Sequence, residues 1–391
     1  MTKRIFVLYI IILLLVYCPI AYADSSSVAT DNDETSWTVS EDGTLTITGK
    51  GPIPNSYTPW MYNGDNHIGG ANITKLIVGE GITRIGDYVT QGLGNLQSVS
   101  LPSTLKQIGG QNFKRMSDLS EIVFPDGLEE IDYCCFQYCD SLVSVSIPAS
   151  VTELGWGSFA FCTSLKNIFV DPGNSSYFSD NGVLKRTQYN STKLCCYPAG
   201  RSATNYIIAE DVNSMGEYAF GGAKNLEEVS FPSSMRSINM GAFSECDNIR
   251  RIVLPENLTS ISAYAFSSCS KVEAVLIPDS VTRISAPAFS RNTIMICLEG
   301  SAAEQYAQQN GSRFIYKNDF YINRIPAGCT VIDDDAFFDS NIKCIYIHSN
   351  VSSIGNSAFP ESTTIICNHG SFAESWANGA GYRIIHIEDF E

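Results

Sequence analysis

LQSVSLPSTLKQIGGQNFKRMSD at residues 96–118, LSEIVFPDGLEEIDYCCFQYCDS at 119–141 and LVSVSIPASVTELGWGSFAFCTS at 142–164 are one phrase written three times. Each reads L-x-x-V-x-I-P-x-x-V-x-x-I-G-x-x-x-F-x-x-C with tolerated swaps. A fixed period of this length marks a solenoid, in which no single repeat can bury its own apolar side.

The phrase recurs outward in both directions. The isoleucine position continues as Ile85, Ile108, Ile131 and Leu154, then Met215, Ile238, Ile261, Ile284, Ile332 and Ile354. The aromatic five residues later is Phe113, Phe136, Phe159, Phe220, Phe243, Phe266, Phe289, Phe337 and Phe359. About ten coils of 23 residues are expected. In L-x-x-V-x-I the apolar residues alternate with polar ones, so they share one face of a short strand. The proline that follows, as in Pro102, Pro125, Pro148, Pro232, Pro255 and Pro278, cannot donate to a ladder and ends that strand. The second apolar pair and the Phe return along the opposite wall. Each coil then buries about six apolar side chains, at roughly 1.5–3 kcal/mol apiece before entropy is subtracted.

Two features break the period. Residues 169–208 carry turn signals at Asn181-Gly182 and Tyr189-Asn190 between short β-like runs, which predicts a β-hairpin insertion packed beside the solenoid. Further on, IMICLEGSAAEQYAQQNGSRF and TIICNHGSFAESWANGAGYRI stand seventy residues apart. Ser301 with Glu304, and Ser371 with Glu374, have capping-box spacing and predict two short helices, anchored by Tyr306 and Trp376. The organisation expected is a signal peptide at 1–23, a flexible leader at 24–34 and an N-terminal β cap at 35–72. Repeats follow at 73–168, the insertion at 169–208, repeats again at 209–365 and a C-terminal cap at 366–391. The signal peptide rests on Lys3-Arg4, the apolar run Ile5–Val16 and Ala21-Tyr22-Ala23, a run short for a span of ~20 residues. The cap rests on alternating Trp37–Val39 and Thr44–Ile47 around Asp42-Gly43.

These units resemble the BspA-like leucine-rich repeat family, the Treponema-type variant of the repeat. The stretches that carry the likeness are Val275–Phe289 and Leu226–Cys246, with DPGNSSYFSDNGVL in the insertion and GTLTITGKG near the start. The resemblance implies a β-rich, right-handed leucine-rich-repeat coil with short C-terminal helices. It also implies a secreted or surface-attached protein of adhesin-like role. No residue-level site is general to the family, so none is carried over.

Cleavage removes Lys3 and Arg4 from the 25 basic residues, leaving 23 against 41 acidic and a net charge of −18. Such a chain repels nucleic-acid phosphates and anionic lipid, so no nucleic acid is expected, and with no second stretch of spanning length after the signal peptide no membrane insertion is expected either. The acidic clusters Asp31–Glu34 and Asp333–Asp335 lack calcium-loop spacing, and no metal or cofactor is expected. There are four histidines, His67, His348, His369 and His386, with no H-E-x-x-H, no G-x-S-x-G and no phosphate loop. No catalytic residue is assigned; a Cys–His pair built across coils, Cys367 with His348 or His369, stays open. Of 13 cysteines one lies in the signal peptide. Cys139 with Cys162, and Cys246 with Cys269, lie one repeat apart and predict a reduced packing ladder within reach of disulfide geometry. Asn72, Asn174, Asn190, Asn257, Asn310 and Asn350 begin N-x-[ST], glycan acceptors only on a eukaryotic secretory route.

The outward strand positions are the third and fifth of each unit. The third gives Glu121, Glu228 and Arg251 among others; the fifth gives Ile77, Val123, Phe169, Val253 and Leu276, interspersed with serines. A line of apolar groups on an exposed strand face is what a protein-binding surface presents. The expected partner is an extracellular protein or glycoprotein, bound by a monomer or weakly self-associating chain. A structural surface component is the alternative, and a hydrolase on a repeat scaffold the less favoured one.

Overall fold

The computed structural model describes residues 35–56, 58, 62–63, 66–67, 72–188 and 191–390. The expected signal peptide, the leader, Pro59-Trp60 and the Tyr189-Asn190 turn lie outside the described residues. The chain is a β-solenoid of about 13 turns. Its two walls are ladders of short parallel strands. The first wall runs from Thr44–Gly49, paired to Lys75–Val78, up to Arg383–His386, paired to Thr364–Cys367. The second is built from the I-G strands, with Arg84, Gln107, Glu130 and Glu153 in successive register, then Ser237, Ser260 and Arg283. Partners such as Ser144 and Asn167, or Glu228 and Arg251, are one sequence period apart, so period and register are the same quantity.

Local chemistry closes each coil. The proline carbonyl after the first strand accepts the N–H three residues on: Pro102 from Leu105 at 3.2 Å, Pro255 from Leu258 at 2.9 Å. The proline thus ends one wall and opens the turn toward the next. Inside, Phe113, Phe136 and Phe159 stack at 5.0 and 5.5 Å. Tyr197, Phe220, Phe243, Phe266 and Phe289 continue at 5.1, 4.7, 5.3 and 5.3 Å. These spacings follow the separation of hydrogen-bonded strands, ~4.7–4.9 Å. The ring ladder is a consequence of strand pairing. The glycine of I-G also answers to the stack: a Cβ on Gly155 would lie 2.2 Å from the backbone nitrogen of Tyr133 on the previous coil.

The turn count exceeds the expected ten because several rungs do not carry the phrase. The cap strand Thr44–Gly49 is one, and Phe314–Tyr316 and Arg383–His386 are others. The insertion is another, and it does not sit beside the solenoid as the sequence suggests. Tyr177–Asp180, Val183–Gln188 and Ser191–Cys196 form an antiparallel meander whose last strand pairs in parallel with Val212–Met215 of the second wall. Tyr177, Leu184, Leu194, Cys196 and Tyr197 are buried. The meander is a thickened rung, because its apolar residues have nowhere dry to go except the shared interior.

Two of the three α-helices among the described residues follow from the capping signals. Helix α1 spans Ala302–Asn310 and helix α3 spans Phe372–Ala380. Ser301 and Ser371 accept from the N–H groups of Glu304 and Glu374 at 3.3 and 3.2 Å. The return bonds go one residue further back, to Gly300 and Gly370, both 2.6 Å. Helix α2, Lys317–Ile322, lies between them in sequence and has no side-chain cap. It packs on the outside of the first wall, with Phe320 buried against Phe390 at 5.2 Å.

Candidate interaction surface

Strand alternation sends the fourth and sixth residues of each unit inward and the third and fifth outward. On the outward face Val123 is 75% exposed, Phe169 52% and Val253 51%. Glu121 is exposed, while Ile77, Glu228 and Arg251 are half-buried. Glu228 and Arg251 are direct neighbours across paired strands. Ile207, 76% exposed, belongs to the same row through its register with Ser230 and then Val253. Sequence reading missed Ile207 because the insertion interrupts the count; its alternation within Asn205–Ile207 was the usable signal. Between Val123 and Phe169 lies a shallow depression of about 400 Å³, lined also by Ser146, Pro148, Asp126 and Asp171.

Leu276 stands apart from this row. It is half-buried and packs into a second apolar cluster on the outer side of the first wall, with Ala274, Ile294, Ile296, Ile315 and Phe320. Cys344, Tyr346, Ile366, Ile385 and Ile387 complete that cluster, and Phe390 packs against it. The outward face is therefore divided. Earlier coils present scattered apolar side chains among serines, and later coils hide a continuous apolar face beneath α2 and the C-terminal turn.

A second exposed feature lies on the other wall. Tyr133 and Trp156 stack at 5.4 Å, and Trp156 meets Tyr218 at 5.9 Å. Trp156 and Tyr218 border a hollow of about 340 Å³ with Lys193, Glu217 and Asn239. Trp156 is 43% exposed.

The cysteines are packing groups. All twelve described cysteines are free thiols. Cys139, Cys162, Cys246 and Cys269 donate to the carbonyls of Phe113, Phe136, Phe220 and Phe243 at 3.0, 3.0, 3.1 and 3.2 Å. Burial pushes the thiols of Cys246 and Cys269 up, the latter to about 12. Cys367 is pushed up to about 11 by burial, against a smaller lowering by its hydrogen bond with Ser371. A thiol held protonated in this way is a poor nucleophile. No described helix is long and apolar enough to cross a membrane.

Comparison with known proteins matches this architecture. The sequence pattern described as the BspA type leucine rich repeat region occurs in six copies over residues 65–190, 190–298 and 297–366. No curated protein sequence matches the chain. Among solved structures, the pneumococcal vaccine antigen PcpA is 19% identical, covering 93% of this chain and 98% of its own, with a TM-score of 0.54. A leucine rich cell surface protein from Faecalibacterium prausnitzii is 24% identical over 75% of this chain and 95% of its own, with a TM-score of 0.41. A leucine-rich repeat protein from Bacteroides ovatus is 16% identical over 93% of this chain and 100% of its own, with a TM-score of 0.43. The first of these extends the likeness of fold over nearly the whole chain. With the repeat pattern matched across most of its length, the chain belongs to the BspA-type leucine-rich repeat family.

Proposed function

We propose that this is an exported recognition protein that binds an extracellular protein or glycoprotein, adhesin-like, through the outward face of the first wall. The observation that carries the reading is the division of that face. Where the chain has α2 and a C-terminal turn to spend, the outward apolar residues are covered. From Val123 to Val253 they are left in water, in a row with Phe169 and Ile207. Exposed apolar side chains next to a shallow hollow give a partner area to bury, and serines at Ser146 and Ser230 offer hydrogen bonds between them. The basic and acidic neighbours Arg251, Glu228 and Glu121 would set orientation more than affinity.

Capture on immobilised extracellular-matrix proteins and mucins tests this. A variant with Val123→Glu, Phe169→Glu, Ile207→Glu and Val253→Glu should lose capture while keeping its melting temperature. Undiminished capture would remove the face from consideration. Loss of mucin capture in Trp156→Ala alone would assign recognition to the aromatic row of the second wall, the arrangement a sugar ring stacks on.

A further inference from the structure

The last strand, Arg383–His386, ends with His386 almost buried between two carboxylates. Its Nδ1 lies 3.0 Å from Glu273 Oε2, and its Nε2 lies 2.9 Å from Glu374 Oε1. Its ring stacks on that of His369, with centroids 3.5 Å apart and planes at 14°. His369 Nδ1 is 3.8 Å from the same Glu374 oxygen. One donor atom each from His369, Glu374 and His386 therefore falls within 4.8 Å of the others. We propose that these three residues form a binding site for a divalent first-row transition metal of the zinc class.

Three observations carry the assignment. The first is geometric. Metal bonds of ~2.0–2.2 Å put tetrahedral donor atoms roughly 3.2–3.5 Å apart, and the two separations at Glu374 Oε1 bracket that range. His369 is the exposed member and is free to turn its nitrogen the remaining distance.

The second is the outer partner. A ligating histidine characteristically gives its other ring N–H to a carboxylate, which fixes the tautomer. With Nδ1–H on Glu273, a neutral His386 turns its Nε2 lone pair toward Glu374 Oε1, and either a second ring proton or a metal cation fills the space between them. Beside them Glu388 accepts from the backbone N–H of His369 at 3.1 Å and from Asn368 Nδ2 at 2.8 Å. Its other oxygen is buried without a partner.

The third is an internal control seventy residues earlier. There Glu304 makes the same bond to Gly300, and Tyr316 holds the place of His386, its hydroxyl donating to Glu304 at 2.8 Å. Glu299 holds the place of His369. Gln308 Nε2 donates to the same Glu304 oxygen at 2.9 Å, so that unit closes on neutral donors without an imidazole, and a structural latch at this position requires neither histidine. Imidazole and carboxylate together suit zinc-class ions, whereas calcium and magnesium call for oxygen ligands alone.

The test uses the mature chain stripped with a chelator and titrated calorimetrically with Zn²⁺, Ca²⁺ and Mg²⁺. One Zn²⁺ per chain is expected, with a zinc-dependent rise in melting temperature and no comparable response to calcium or magnesium. His369→Ala, at an exposed position, should keep the metal-free melting temperature and weaken binding at least tenfold. Glu273→Gln should weaken it by about 10–100-fold through the outer partner. Cobalt in place of zinc should give only the weak bands of nitrogen and oxygen ligation. Absence of stoichiometric zinc binding, binding indifferent to His369→Ala and Glu374→Gln, or a thiolate charge-transfer band with cobalt would each overturn the proposal.

Discussion

Residues 294–320 and 364–390 run the same course, and they differ where chemistry differs. Each has a first-wall strand ending in Cys, a left-handed glycine, a capped nine-residue helix and a returning strand. After that strand the earlier copy continues into α2, and Phe320 covers the outer wall. The later copy makes a single 3-10 turn, Ile387–Asp389, and Phe390 meets Phe320 from the other side. Tyr306 is buried and its hydroxyl accepts from the N–H of Ala288 at 2.8 Å. Trp376, its counterpart, is half-buried against Tyr382 and Phe359, and its indole N–H has no partner. The lesson is that backbone closure needs only the helix cap and the glycine. The side chains at the Tyr316/His386 and Glu299/His369 positions are free to carry something else.

The strongest way to break this comparison is at the aromatic anchors. Phe320→Ala should cost about 3–5 kcal/mol by chemical denaturation, because it opens a cavity and uncovers the outer wall. Tyr306→Ala should fall in the same range, and Trp376→Ala should cost clearly less because Trp376 itself is only half-buried. Equal losses at Tyr306 and Trp376 would mean that the two units are not packed differently. Next, Glu299→His with Tyr316→His should raise zinc stoichiometry from one to two, the added site being the weaker for want of an outer carboxylate like Glu273. A failure to gain the second equivalent, with the native site intact, would show that the shared backbone alone does not suffice. Ser301→Ala and Ser371→Ala should each cost about 1 kcal/mol, and a large inequality would break the equivalence of the caps. Smallest of all, Cys297 and Cys367 should both resist alkylation in the native chain, since burial raises both thiols. Mass spectrometry without reductant, before and after denaturation, checks this and counts any bridges.

What could be read in the sequence was what each coil says about itself. The I-x4-F spacing, the strand-ending prolines and the S-x-x-E caps are local signals, and each fixes a local structure. The walls, the ring ladder and helices α1 and α3 follow from them. Ile207 was lost because the meander breaks the count, although its strand rejoins the row in register with Ser230. The packing of Leu276 is not legible in its own repeat, because its neighbours Phe320 and Phe390 come from far along the sequence. His386 and Glu273 are 113 residues apart, and no spacing rule joins them. The solenoid brings them together because distance along the stack, not along the chain, decides neighbours.

The earlier helical unit also has a consequence for length. Its returning strand does not end the molecule: the chain passes through α2, Asn323 accepts from Tyr346, and a new run of coils begins. One block of sequence thus occurs twice, and its earlier copy serves as a splice between two runs of coils. Because the block hands one run of coils on to the next, a rod built this way can be lengthened by copying it, leaving the coils on either side unchanged.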